Sequence, residues 1–390
     1  MAIYFKHREF YKCLTKIFAK ILIKINPNFS RIFGLKFLHL SISDTNLRGR
    51  KMRNNDIILE EKYLKEIYHD KSELPKKIRI DVSTKCQLNC QRCYMRMDKE
   101  GAENGCGLGN LKFENFKKFI DDNDFESIEL SNHGEIFLNP EIDKIIEYAN
   151  SKNIEMTMDN GVNLNYLPDS TAEIIVRCKV KRIDVSIDGA SQETYQIYRR
   201  NGDFNKVIEN IKKINFYKEK YHSDAPTLYY KFIVFGHNEH EIEQAKILAK
   251  NLNMEISFEQ NTYPDFSPVR NPEMVIKQTG LPTVELPPHK LLEEYEQGIS
   301  DWYYCAFLWD EPQINWDGKI LGCCSLFTDD FGGNVFKEDF LTAMNNPKLI
   351  YAKNMITNNA PDNPAIPCSN CYMYQDMKAN NKWLKSPKNR

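Results

Sequence analysis

Cys86-Gln-Leu-Asn-Cys90-Gln-Arg-Cys93-Tyr94 crowds three cysteines into eight residues, just after the alternating run Ile78-Arg-Ile80-Asp-Val82. The run reads as a buried strand. The cysteine stretch is then the loop at its C-terminal end, with three thiols able to face one inorganic centre. A structural zinc site takes four ligands, usually as two separated pairs. A disulfide framework would not pack three cysteines so tightly. Three thiolates suit a cubane iron–sulfur cluster with one iron left open to a small molecule.

From about residue 76 onward, strand-like and helix-like segments alternate, the mark of a parallel sheet with crossover helices. Strands are expected at 78–82, 127–131, 154–158, 182–187, 227–234 and 255–259. Helices are expected at 112–123, 140–152, 168–177, 191–198, 204–219 and 239–252, and the glycine-rich residues 100–110 read as a loop. Ligands of parallel α/β barrels sit at the C-terminal strand ends. The polar motifs fall there: Asn132-His133-Gly134-Glu135, Asp159-Asn160-Gly161 and Ser186-Ile187-Asp188-Gly189. Gly134 lets the backbone approach a ligand closely, and Glu135 offers a carboxylate to an ammonium group. His133 is read as a loop histidine with a structural role, an acid–base role being the alternative.

The cysteine loop resembles the signature of the radical S-adenosylmethionine (SAM) superfamily, CxxxCxxC with an adjacent aromatic residue, here Tyr94. The resemblance implies a [4Fe–4S] cluster on Cys86, Cys90 and Cys93 whose open iron chelates the amino and carboxylate groups of SAM. It implies reductive cleavage to a 5′-deoxyadenosyl radical that takes a hydrogen atom from substrate. The fold implied is α/β, a partial (β/α)₆ TIM-like barrel over 76–262. Gly134-Glu135 resembles the superfamily's GGEP segment, with His133 for the first glycine and Ile136 for the proline. Val185-Ser186-Ile187-Asp188-Gly189, with Tyr195 and Arg199, resembles the strand-four segment whose serine and arginine meet the ribose or carboxylate of SAM. The resemblance thus makes Tyr94, Gly134, Glu135, Asn160, Ser186 and Arg199 the SAM-binding residues.

Residues 263–300 carry Pro264, Pro268, Pro272, Pro282, Pro287 and Pro288 and read as a bridge. A smaller unit follows at 301–378, then a basic tail at 379–390. In that unit Cys305 is followed by twelve residues, Gly318, four more and Cys323; Cys368-Ser-Asn-Cys371 comes much later. Two separated pairs supply four thiolates to one centre, a set that suits zinc and iron–sulfur alike. The spacing resembles the shortened "twitch" form of the SPASM extension of radical SAM enzymes, which implies one fully ligated auxiliary [4Fe–4S] cluster, the second of two. Such a cluster moves an electron or shapes the substrate pocket. Cys324 is an alternative ligand to Cys323, a bystander, or a catalytic thiol that returns a hydrogen atom to a substrate radical. Trp302, Trp309 and Trp316 read as core, and Asp310 and Glu311 as candidate proton acceptors.

The N-terminal extension, 1–75, has its own character. Residues 1–55 hold twelve Lys and Arg against Glu9 and Asp44, a net +10 on a chain whose total is −1. Over 9–26, Lys12, Lys16, Lys20 and Lys24 form a basic helical stripe opposite Phe10, Leu14, Ile17, Phe18, Ile21, Leu22 and Ile25. Such a helix lies on an anionic membrane surface or packs on the enzyme body; nucleic acid is not expected as a partner. A polar helix is expected at 59–69. No export signal is read, so the eleven cysteines point to metal ligands in a reducing cytoplasm, with peripheral attachment at the inner membrane face as the extension of that reading.

The function expected is oxidation or epimerisation of a carbohydrate, cyclitol or lipid-linked sugar, with flavodoxin or ferredoxin as electron donor. The resemblance extends to radical SAM dehydrogenases of aminoglycoside pathways. It extends also to polysaccharide-cluster proteins, through Asn315-Trp-Asp-Gly318, Cys323-Cys324 and Gly333-Asn-Val335. The alternatives are a maturase of a ribosomally made peptide and a non-catalytic iron–sulfur or zinc scaffold.

Overall fold

Strand-forming runs between residues 77 and 259 alternate apolar and polar side chains, and the computed structural model shows where each set goes. It describes residues 59–93, 95, 105–263, 265–284, 305–323 and 329–384. The basic stripe at 9–26 therefore lies outside the described residues, as do Tyr94, Trp302 and Cys324. Six strands run β1 (Lys77–Ile80), β2 (Ser127–Glu129), β3 (Glu155–Val162), β4 (Arg182–Ser186), β5 (Thr227–Ile233) and β6 (Glu255–Glu259). Each pairs in parallel with the next. Between them lie α1 (Phe113–Asp121), α2 (Ile142–Ser151), α3 (Asp169–Arg177), α4 (Gln192–Tyr198), α5 (Phe204–Tyr221) and α6 (Ile242–Asn251). This is a mixed α/β fold on a parallel sheet, the partial TIM-like architecture.

The register sorts the sheet into two unlike faces. On one, Ile78, Ile80, Ile128, Met156, Ile183 and Val185 are at most 2% exposed and belong to the core under the helices. On the other, Glu129 sits beside Arg79 and Thr157, and Asp184 and Ser186 pair with Tyr229 and Lys231. A (β/α)₈ barrel fills its interior with Val, Ile and Leu. Here the inner rows carry charge and hydrogen-bonding groups instead.

The C-terminal segment enters the same sheet. After α7 (Pro272–Thr279) and α8 (Ala306–Trp309), strand β7 (Gln313–Ile314) lies parallel to β1, and β8 (Ile320–Gly322) antiparallel to β7. The strand order is β6-β5-β4-β3-β2-β1-β7-β8. Three helices follow, α9 (Phe340–Met344), α10 (Pro347–Ile356) and α11 (Tyr372–Asn380). The Asn315–Gly318 and Gly333–Val335 segments meet each other: Val335 N–H donates to Gly318 O at 2.9 Å and Asn334 Nδ2 to Asp317 O at 2.9 Å.

Three local expectations need correction. The polar helix at 59–69 is one 3₁₀ turn, Glu61–Tyr63. Beyond it, Asn345 Oδ1 accepts the Ile67 and Tyr68 N–H groups at 3.3 and 3.1 Å, so a side chain replaces helical bonding. The third strand does not stop at Met158. It continues through a register shift to Val162, because Glu129 Oε1 takes Asn160 N–H (3.3 Å) and Ser131 Oγ takes Gly161 N–H (3.2 Å). The proline-rich bridge contains α7, which has legible stops: Asn271 caps it by accepting Met274 N–H at 3.2 Å, Pro272 starts it and Gly280 closes it at φ +75°.

Candidate active site

The end of β1 leads into the first cysteine loop, and the turn after β2 is folded tightly against it. Gly134 adopts φ +71°, and a Cβ there would lie 2.4 Å from Ser83 O and 2.7 Å from Lys85 O. Glu135 N–H donates to Lys85 O at 2.7 Å. Only glycine permits this approach. The same device recurs at Gly161 (φ +118°), where a Cβ would meet Ser186 Oγ at 2.5 Å. The strand ends are thereby drawn together around a cavity of about 570 Å³.

Cys86, Cys90 and Cys93 line this cavity together. So do Gly134, Asn160, Ser186 and Arg199. Glu135 is different. Its fully buried carboxylate accepts Asn163 N–H at 2.6 Å and Phe137 N–H at 3.4 Å. It braces the turn behind Gly134, where the sequence reading had it facing an ammonium. Burial pushes its carboxyl up to about 7, against the pull of those backbone donors.

Two thiols are met by N–H donors. Arg199 Nη1 lies 3.9 Å from Cys90 Sγ, and its Nε donates to the fully buried Asp188 at 2.6 Å. Asn163 Nδ2 lies 3.6 Å from Cys86 Sγ. Burial pushes the Cys86 thiol up to about 12, so a thiolate there needs a cation as partner. Three cysteines, flanking N–H donors and a backbone cradle that a Cβ would fill together fit an iron–sulfur cluster with a small ligand beside it. Among the described residues, no three or more His, Cys, Asp or Glu converge as a single-ion site. A cubane spreads its thiolates around four irons.

Part of the cavity wall is polar. Lys231 Nζ pairs with Glu259 Oε1 at 2.9 Å and both line the cavity. Asn160 Nδ2 donates to Asn132 O at 3.1 Å. His133 also lines it, with Nδ1 3.1 Å from Asp81 Oδ2. Sequence reading missed Asp81, Asn163, Lys231 and Gln313. Their only signal was polarity within the strands, for Lys231 and Gln313, or one residue beyond a strand's end, for Asp81 and Asn163.

The second cysteine set also gathers. Cys305 precedes α8, Cys323 follows β8, Cys368 sits in the 3₁₀ turn Pro367–Asn370 and Cys371 opens α11. Burial first, and then the neighbouring Cys305, Cys323 and Cys371, push the Cys368 thiol well above its ordinary range. Trp309 is 7% exposed and belongs to the core. Trp316 covers Gly109, whose added Cβ would meet its ring at 2.4 Å, and its Nε1 donates to Cys106 O at 2.9 Å. Glu311 Oε2 stands 3.7 Å from Arg79 Nε on the polar face of the sheet.

Comparison with known proteins fits this geometry. Residues 80–249 match the radical SAM superfamily. An uncharacterised protein of Methanocaldococcus jannaschii is 29% identical over 181 residues, 45% of this chain and 52% of that one. A GTP 3′,8-cyclase of Clostridium botulinum is 24% identical over 184 residues, 46% of this chain and 54% of that one. The chain spans about half the length of these curated relatives. Among solved structures, Streptococcus suis SuiB bound to precursor peptide SuiA shares the fold, with TM-score 0.53 and 14% identity over 78% of this chain and 71% of that one. No helix among the described residues is long and apolar enough to cross a membrane. The cysteine loop and the glycine-tightened strand ends all fall within the segment, residues 80–249, that matches the radical SAM superfamily.

Proposed function

We propose that this enzyme oxidises or epimerises a carbohydrate, a cyclitol or a lipid-linked sugar by hydrogen-atom abstraction. The observation that carries the substrate class is the cavity wall. Asn132, His133, Lys231 and Glu259 line it beside the apolar Leu108, Val162 and Ile233, so that donors and acceptors able to meet hydroxyl groups stand next to surface able to meet a sugar's carbon skeleton.

In this reading Cys86, Cys90 and Cys93 hold the cluster that binds SAM. When bound and reduced, the pair supplies a 5′-deoxyadenosyl radical. Gly134 admits the methionyl end, and Arg199 and Ser186 meet its carboxylate or ribose. Asn160 lies beside Ser186 for the ribose, and Tyr94 flanks the third cysteine. Cys305, Cys323, Cys368 and Cys371 hold an auxiliary [4Fe–4S] cluster. Cys324, next in sequence to a ligand, is the hydrogen-returning thiol if the reaction is epimerisation. A flavodoxin or ferredoxin in the cytoplasm supplies the electron, and the basic stripe at 9–26 brings the protein to an anionic membrane surface.

The test is turnover by the anaerobically reconstituted, full-length protein with SAM, dithionite and a panel of free and nucleotide-linked hexoses and cyclitols. The expected result is 5′-deoxyadenosine formation stimulated by one panel class, with a product two hydrogens lighter or of inverted configuration. Stimulation by peptides alone would replace this reading with peptide maturation.

A further inference from the structure

We infer that Lys231 and Glu259 act as a pair that binds two adjacent hydroxyl groups of the substrate, an uncharged vicinal diol. This rests on the reading of the substrate as a carbohydrate or cyclitol, and narrows it.

Lys231 lies on β5 and Glu259 at the end of β6. In the sheet Lys231 is the register partner of Ser186 on β4 and of Ser257 on β6, and Ile233 that of Glu259. Lys231 Nζ stands 2.9 Å from Glu259 Oε1, and the two side chains are 15% and 40% exposed. Both line the cavity that the three cysteines line. Arg92 and Arg199 line it too, but their acids, Asp265 and Asp188, do not. Among the ion pairs of the described residues, Lys231–Glu259 alone turns both members to the cavity.

The pair has bonding capacity to spare. An ammonium has three donors and no acceptor, and an ionised carboxylate has two oxygens that only accept. Among the described residues, Lys231 Nζ is met by Glu259 Oε1 and, at 3.5 Å, by Asn160 O. The Glu259 carboxylate is met by Lys231. A donor and an acceptor therefore stand side by side in the wall.

A hydroxyl group both donates and accepts. Neighbouring hydroxyls on a sugar ring lie about a hydrogen bond's length apart, which is the spacing of this pair. One can accept from Nζ while the other donates to Glu259. A lone phosphate would be drawn to Lys231 and repelled by Glu259, and a lone ammonium the reverse. A neutral diol satisfies both. Val162 and Ile233 line the same cavity and supply apolar surface for ring carbons.

The test is calorimetric binding, which needs no turnover, to the full-length, anaerobically reconstituted protein with SAM. The ligands are the panel sugars and cyclitols, their monodeoxy analogues, and analogues phosphorylated at one of the same hydroxyls. In the wild type, removing either of two adjacent hydroxyls should weaken binding about 10–100-fold, the usual worth of a hydrogen bond to a charged group. In Glu259→Leu the parent sugar should weaken by the same order. Removing the hydroxyl that faces Glu259 should then cost little more, the coupling expected of groups in contact. The phosphorylated analogue should gain affinity in Glu259→Leu, because Lys231 is left unopposed. Lys231→Met should weaken the parent sugar without that gain.

Deoxy penalties that persist undiminished in both variants overturn the proposal. So does a loss of SAM affinity in place of sugar affinity, which would give the pair to the ribose diol of SAM. Tighter binding of a zwitterionic amino acid than of any diol overturns it as well. Should the variants fail to fold, the wild-type deoxy series decides, and the absence of two adjacent sensitive hydroxyls overturns the proposal. A panel compound that turns over with hydroxyls uncoupled from Glu259 removes the diol site alone. No binding and no turnover across the panel removes the carbohydrate reading with it.

Discussion

Arg199 joins two groups that sequence separates: it pairs with Asp188 and holds its Nη1 3.9 Å from Cys90 Sγ. Arg199→Ala strands a fully buried Asp188. Removing one partner of a buried ion pair costs roughly 3–5 kcal/mol. Thermal unfolding should show this loss, and iron retention should fall with it. Arg199→Lys keeps the charge but loses the planar fork, so it should recover only part of both.

Gly134 is the tightest point of the cradle. Gly134→Ala puts a methyl 2.4 Å from Ser83 O at φ +71°. The strained backbone alone costs about 1–3 kcal/mol. The melting temperature should drop by several degrees and SAM affinity should fall, read by calorimetry and by equilibrium binding.

Asn163 reaches Cys86 Sγ with Nδ2 at 3.6 Å. N–H donors to cluster sulfurs help set the reduction potential. With Cys86 as a ligand, Asn163→Leu should make the potential of the SAM-binding cluster more negative. Redox titration followed by electron paramagnetic resonance reads this, and an unmoved midpoint would detach Asn163 from the cluster.

Glu129 is a carboxyl whose proton the fold retains. Burial pushes it up to about 7, with Arg79 and Ser131 pulling the other way. The folded protein therefore binds a proton that the unfolded chain releases near pH 4.5. The stability it contributes is present below that pH and lost as pH rises towards 7, a total of about 3 kcal/mol. Glu135 acts in the same sense. Denaturation midpoints should thus fall from pH 5 to pH 7.5, and less steeply in Glu129→Gln.

The sequence showed the parallel strands because Ile78, Ile80, Ile183 and Val185 alternate with polar neighbours at period two. It showed both cysteine sets because thiols at such spacings have few other uses. It did not show what Glu135 touches. Whether that carboxylate faces a ligand or Asn163 N–H depends on a turn packed against residues 50 positions earlier. Nor did it show the Asp81–His133–Gln313 group. Gln313 reaches Asp81 across 232 positions, a contact set by β7 joining β1, and no local pattern encodes that pairing. Asn345, which unwinds the expected helix at 59–69, is equally remote.

The most direct measurement is the spectrum of the reduced, anaerobically reconstituted protein with and without SAM, alongside its iron content. About eight irons, two cubanes' worth, are expected. The paramagnetic signal should change on SAM addition, and replacing Cys86, Cys90 and Cys93 together should remove about four irons along with that change. A signal indifferent to SAM, or one that survives loss of the three cysteines, would contradict the assignment of an open, SAM-binding iron to this loop.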